Sequence, residues 1–232
     1  MKACLLSAAA ALGVLLTSSA ASATLIVPGA TVPVAVEALN PGFVVVANTG
    51  PETVTQNGVT VTGQEWVVVD PSPPAGADPG FGGGTTLSFV YQIQATSEVL
   101  SALTGGSFLG FTTDVGMEAF NAALPGALPG TVSYLDAHES LAGNIRGDFS
   151  GGGLPAGATH SWLFIVNTHA PGFTPSTFGV LDNATVTLPG YAPSTNPNIS
   201  VPEPTSAILG IGCVLSFAGA AGWRRRRGPA AE

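Results

Sequence analysis

Between Thr24 and Ser200 the chain has no cysteine and no lysine, and across all 232 residues only 20 side chains carry a formal charge, 9%. A typical soluble domain carries roughly 25%. Without a thiol there is no cysteine nucleophile, disulfide framework or Cys-rich metal knuckle in this region. Without lysine there is no Schiff base and no P-loop ammonium. The two cysteines, Cys4 and Cys213, both fall in apolar terminal segments. Cationic residues are as scarce in the middle: Arg146 stands alone against 12 carboxylates, a net charge of −11 over residues 24–200. Such a surface repels polyanions, which argues against nucleic acid as a partner. In compensation the chain is rich in Gly (31) and Pro (19) and is 45% hydrophobic, the composition of a turn-rich folded protein rather than a disordered one.

The two ends differ from the middle. Residues 1–23 begin with Lys2, continue through an apolar run from Cys4 to Leu16, and close on Ala21, Ser22 and Ala23 before Thr24. One positive charge, a short apolar stretch and a small-residue A-x-A site predict a secretory signal peptide cut between Ala23 and Thr24, in preference to a buried helix. This implies the Sec translocon and signal peptidase as partners. At the other end, Thr205 to Trp223 is 19 residues without a charge. As a helix it would reach about 28 Å, just enough to cross a bilayer. Arg224, Arg225, Arg226 and Arg227 follow at once, and arginines so placed stay on the cytoplasmic side, so everything before them is expected to be exported. A buried core helix with a basic tail fits this order less well. A nucleic-acid patch fits it less still, since no aromatics interleave the arginines.

Immediately before the apolar stretch stand Val201, Pro202, Glu203 and Pro204. A Val-Pro-Glu-Pro motif, an apolar helix and an arginine cluster in fixed order resemble the PEP-CTERM sorting signal of Gram-negative bacteria. The resemblance covers residues 201–227. It implies a substrate of the membrane protease-transpeptidase exosortase, cut near Pro202 to Pro204 while anchored in the inner membrane with its body in the periplasm, then released or transferred to the cell surface. The two prolines favour an extended stretch that a protease can bind as a strand. Residues 154–193, with a Trp-containing strand and an Asn-Ala-Thr-Val run, are similar to the closing strands of many cargo proteins of this kind.

Residues 24–200 are one domain's worth of chain. Short β-rich runs between turn residues predict an all-β antiparallel sandwich, jelly-roll-like, with few helices. Strands are expected at 32–39, 43–47, 53–56, 59–62, 65–70, 86–94, 107–112, 131–135, 160–167 and 184–188. Asn57-Gly58 is the clearest hairpin signal, because both turn positions require positive φ. In 86–94, Phe89, Tyr91 and Ile93 share one face and leave the other half polar. In 161–167 both faces are apolar, which places that strand centrally. A short helix is expected at 97–103, and Gly/Pro loops at 71–84 and 143–157.

Candidate chemistry is sparse. Asp136, His138 and Glu139 gather acid-base groups but lack the second histidine of a zincin helix, and read first as a solvated loop. On a strand Asp136 and His138 would share a face. His160 and His169 flank one strand and should lie at its opposite ends. Ser150 lacks the first glycine of a G-x-S-x-G elbow, and Gly80 to Gly84 lack a βαβ setting. Asp70 with Asp78, or Asp114 with Glu118, offer oxygen ligands for Ca²⁺ without a D-x-D spacing. Arg146 is expected to pair with Asp148 or another nearby acid. Three functions follow from these residues. The first is a non-enzymatic cell-surface or matrix protein, with exopolysaccharide as a partner. The second is a carbohydrate-binding module with an exposed Trp66, Trp162, Tyr91 or Tyr134. The third is a hydrolase built on Asp136 and His138.

Overall fold

The computed structural model describes residues 24–39, 42–69, 87–157, 159–182 and 185–197. The signal-peptide residues Ala21 and Ala23, the motif Val201 to Pro204, the apolar stretch 205–223, the arginines 224–227, and the candidate cation ligands Asp70 and Asp78 lie outside them. Among the described residues no helix is long and apolar enough to cross a membrane.

In chain order the strands are β1 (Thr24–Ile26), β2 (Thr31–Pro33), β3 (Ala35–Val36), β4 (Val44–Asn48), β5 (Glu52–Gln56), β6 (Val59–Val69), β7 (Leu87–Ala95) and β8 (Ala102–Ser107). They continue with β9 (Thr113–Glu118), β10 (Tyr134–Glu139), β11 (Asn144–Phe149), β12 (Thr159–His160), β13 (Leu163–Thr168), β14 (Gly172–Leu181) and β15 (Thr185–Ser194). They form two sheets packed as a sandwich. The first has the order β1-β9-β13-β7-β6-β4, with β3, β5 and β12 at its margins, and the second has the order β15-β14-β8-β11-β10-β2. The expected all-β sandwich is present.

Alternation explains the core between the sheets. Phe89, Tyr91 and Ile93 of β7 point inward with Val61 and Val67 of β6, and they meet Leu103, Phe178, Val186 and Leu188 of the second sheet. The Phe89 and Phe108 rings pack edge to face at 5.4 Å. As expected, β13 lies centrally, between β9 and β7. Its other face, with Trp66, Val68 and Val90, forms a second apolar cluster roofed by Leu39 and Leu124. The face of β7 read as half polar is therefore buried too: Gln92 donates to the Leu128 carbonyl at 2.6 Å and accepts the Leu128 N–H at 2.9 Å. The Trp66 indole donates to the Pro125 carbonyl at 3.0 Å. Segment 120–130 is thus pinned by side chains of the sheet it covers.

Several expectations are corrected. The segment 97–103 is not helical. It turns into β8, because Leu103 finds its apolar partners across the sandwich rather than along a helix face. The stretch 107–112 is a turn, and the strands 59–62 and 65–70 are one continuous strand, β6, since Gly63 lets the chain run on beneath Leu188 and Phe178 without a break. The loop expected at 143–157 contains β11, in which Ile145, Gly147 and Phe149 alternate inward. Strands β1, β9 and β14 add to those expected: β1 is only three residues long, and Gly116 in β9 and Pro175 and Gly179 in β14 break the β pattern. The Asn57-Gly58 hairpin is present, with φ of 53° and 83°.

The long edge strand β15 shows how an exposed edge is blunted. Its outward amides at Thr187 and Tyr191 are bound by the Gln56 side chain at 3.1 Å and the Glu65 carboxylate at 2.9 Å. The alternate positions Pro189 and Pro193 have no N–H to leave unpaired.

Candidate functional site

The outer face of the second sheet bears a candidate surface with both shape and polar chemistry. Register aligns Thr31, His138, Arg146, Thr104, Gly179 and Thr187 in one row across six strands. A neighbouring row runs Pro33, Asp136, Asp148, Ala102, Leu181 and Thr185. All the charge therefore falls at the β10–β11 side, and hydroxyls and glycines occupy the β8–β14–β15 side.

On that neutral side the sheet opens into a groove of about 370 Å³. Its cause is local. Strand β8 pairs with β11 at Ser107–Asn144 and again at Thr104–Arg146, so Gly105 and Gly106 together oppose Ile145 and form a bulge. Strand β14 follows β8 only from Gly179 to Leu181, then departs toward Pro175, whose missing N–H costs no ladder bond there. The hydroxyls of Thr104, Ser107, Ser176, Thr177, Thr185 and Thr187 and the amide of Asn144 line the opening, with no charged side chain among them. Glycine keeps it clear: a Cβ on Gly179 would stand 3.0 Å from Thr104 Oγ1 and 3.4 Å from Thr185 Cγ2. Such a surface can exchange hydrogen bonds with a neutral polyhydroxylated ligand and offers no fixed charge to an ionic one.

Beneath the groove, in the interior, Glu65 of β6 lies directly across the ladder from Tyr91 of β7, and both are fully buried. Glu65 Oε2 accepts the Tyr191 N–H, whereas Oε1 and the Tyr91 hydroxyl have no partner at hydrogen-bonding geometry. Burial pushes the Glu65 carboxyl well above the usual carboxylate range, only partly opposed by the Tyr191 amide and Tyr91. The Tyr91 phenol is pushed up by burial and then by Glu65. Gly190 and Gly105 cover the pair. A Cβ on Gly190 would fall 2.2 Å from Glu65 Oε2, and one on Gly105 would fall 3.3 Å from Tyr91 Oη.

At the charged side Arg146 donates through Nε to Asp148 Oδ1 at 2.8 Å and forms an ion pair with the same oxygen through Nη2, the expected pairing. Asp136 faces Asp148 across the ladder, and its carboxyl is raised by burial and then by that neighbouring carboxylate, with Arg146 and His138 opposing. His138 Nδ1 lies 3.3 Å from Thr31 Oγ1. Asp136 and His138 thus share a face of a strand rather than sitting in a solvated loop, because Ala137 between them is core. Glu139 departs from them: it points inward and accepts from Thr113 at 3.0 Å. The hydrolase reading gains a carboxylate pair and a histidine, but Asp148 is held by Arg146 on a half-exposed sheet surface rather than in a cleft.

The remaining candidates are scattered. His160 pairs with Gln94 near one end of β13 and His169 lies at the other, bonded through Nδ1 to the Thr112 N–H at 2.9 Å. The Ser150 hydroxyl lies 2.9 Å from that of Ser133, with no histidine or carboxylate bonded to it among the described residues. Glu118 is engaged by the Asn121 amide and the Leu39 N–H, and Asp114 is buried. Among the described residues no three His, Cys, Asp or Glu side chains are grouped to hold a metal ion. Trp66, Tyr91 and Tyr134 are interior, and Trp162 is half-buried against the core. The proposed stacking platform is therefore not formed by Trp66, Tyr91 or Tyr134. The groove residues were missed from sequence, although Thr-Gly-Gly-Ser at 104–107 signals a bulge. Compared with family models, curated proteins and solved structures, the chain matches none.

Proposed function

We propose that the chain is an exported, non-enzymatic protein of the cell surface or extracellular matrix. It is made with a signal peptide, held in the inner membrane by residues 205–223, and processed by an exosortase at Val201 to Pro204. The observation that carries this reading is the ordered run of Val-Pro-Glu-Pro, 19 uncharged residues and four arginines, opposite an N-terminus of signal-peptide type. An all-β sandwich without lysine or cysteine suits a body that must persist outside the cell, where its charge of −11 keeps it soluble. Mass spectrometry of the termini from cells with and without the sorting protease tests it. The expected mature chain starts at Thr24 and ends near Pro202 to Pro204 only when the protease is present. A chain that keeps Arg224 to Arg227 in both strains overturns it.

A second reading, favoured by the uncharged hydroxyl-lined groove, is that the body binds a neutral exopolysaccharide there. Leucine at Gly179 fills the groove and should abolish retardation in affinity gels containing the polymer, while Arg146→Met leaves it unchanged. Equal retardation of Gly179→Leu and the parent removes the reading.

A further inference from the structure

We infer that the end of the sandwich from which the C-terminal tail departs is a membrane-contacting surface: in the anchored precursor its apolar loop tips rest in the interface of the bilayer that holds the tail. This rests on the anchored reading above. The ladders define the end. Ser194, where β15 finishes, pairs with Gly172, where β14 begins. The turns 27–30, 108–112, 140–143 and 169–171 join strands at this same end, since Ile26 and Thr168 both pair with Thr113, and Asn144 pairs with Ser107.

Three tips there expose large apolar side chains, Val27 at 54%, Leu109 at 59% and Leu141 at 80%, the last the most exposed large apolar side chain among the described residues. They belong to one surface. The Gly29 N–H donates to the Glu139 carbonyl at 2.7 Å, and the Phe108 N–H donates to the Gly143 carbonyl at 2.7 Å. A Cβ on Gly143 would strike the Leu109 backbone at 2.3 Å, so the Leu109 turn is pressed onto the Leu141 turn. A Cβ on Gly29 would stand 3.6 Å from Leu141 Cδ2.

Charge separates the described turns of this end from those of the other. The four turns contain no Asp, Glu, Lys or Arg, and exposed His169 is their one titratable group. Glu98, Glu118 and Asp182 all lie at the opposite end, where β7, β9 and β14 finish. Segment 70–86, with Asp70 and Asp78, is attached at the apolar end and lies outside the described residues. Seven residues, 198–204, separate the described body from the apolar stretch at Thr205. Fully extended they span at most about 25 Å. The tail therefore holds this end close to the bilayer. A body so tethered sets the uncharged, leucine-tipped turns of this end against the bilayer, where apolar tips can enter the interface.

The test uses the full chain with Cys4→Ser and Cys213→Ser, reconstituted in phosphatidylcholine vesicles that carry spin-labelled lipid. A single environment-sensitive fluorophore is attached through Leu141→Cys or, at the far end, Glu98→Cys. The label at 141 should be blue-shifted and quenched several-fold more strongly than the label at 98. Adding Leu109→Ser and Val27→Ser should weaken that quenching, with circular dichroism reporting that the sheet persists. Chains that float with the vesicles but show equal, water-like emission at both positions overturn the orientation alone. Chains that fail to float overturn the anchor, and the orientation with it.

Discussion

The two outer faces of the sandwich are built from the same kind of strand and meet opposite fates. On the first sheet Trp66, Val68, Val90, Leu163 and Ile165 face outward and are buried again under Leu39, Leu124 and their neighbours. On the second sheet the outward positions are mostly polar, with Thr104, Thr185, Thr187 and the Asp136–Arg146–Asp148 group beside Pro33, Ala102 and Leu181, and no second apolar cluster like that of the first sheet covers them among the described residues. An apolar outward row requires a cover, so segment 120–130 is committed to structure. A polar outward row needs none and stays free to meet a partner. The groove, the bulge that opens it and the ion pair all lie on the face that stability does not need to close.

The strongest way to break this contrast is to remove the anchor of the covered face. Trp66→Ala deletes a fully buried indole and its bond to Pro125, and should cost about 3–5 kcal/mol, read as a lower midpoint in urea unfolding. An unchanged midpoint would mean that the roof contributes nothing.

Between the faces, Glu65→Gln should be stabilising at neutral pH. The native carboxyl, with its pKa raised by burial, holds its proton more tightly than the unfolded chain does. Its favourable contribution is therefore complete below the ordinary value of 4.5 and is lost as pH rises toward the raised one. Glutamine keeps an acceptor for the Tyr191 N–H but does not titrate. Melting temperature against pH should fall less steeply above about pH 4.5 in the variant than in the parent. Parallel curves would contradict the buried, proton-holding Glu65.

The smallest effect belongs to the open face. Arg146→Met removes an ion pair whose side chains are 43% and 31% exposed, and should change stability by less than about 1 kcal/mol. A larger loss would show that the Asp136–Asp148 pair depends on the arginine for more than a surface contact.

Much of this was legible in the sequence because it is local. The Asn57-Gly58 turn, the inward row Phe89-Tyr91-Ile93, the doubly apolar β13 and the Arg146–Asp148 pair follow from φ preference, period-2 alternation and short spacing. What failed was not local. Segment 97–103 offers a helical face as readily as a strand, and Leu103 settled the matter only by meeting the opposite sheet. Likewise β14, with Pro175 and Gly179 in its middle, has weak β-propensity and is held by ten paired residues of β15. The groove joins residues from four strands separated by up to 83 positions, from Thr104 to Thr187, which no spacing rule connects.

The sequence by itself determined the composition of the surface, the alternation that makes strands, and the contrast between charged or apolar ends and an acidic body, since these depend on residue type and near neighbours. Tertiary structure alone decided which outward face would be covered, where β8 and β14 part, and which turns share an end with the departing tail. Those outcomes depend on contacts between segments far apart in the chain, whose free energy exists only once the sheets have packed.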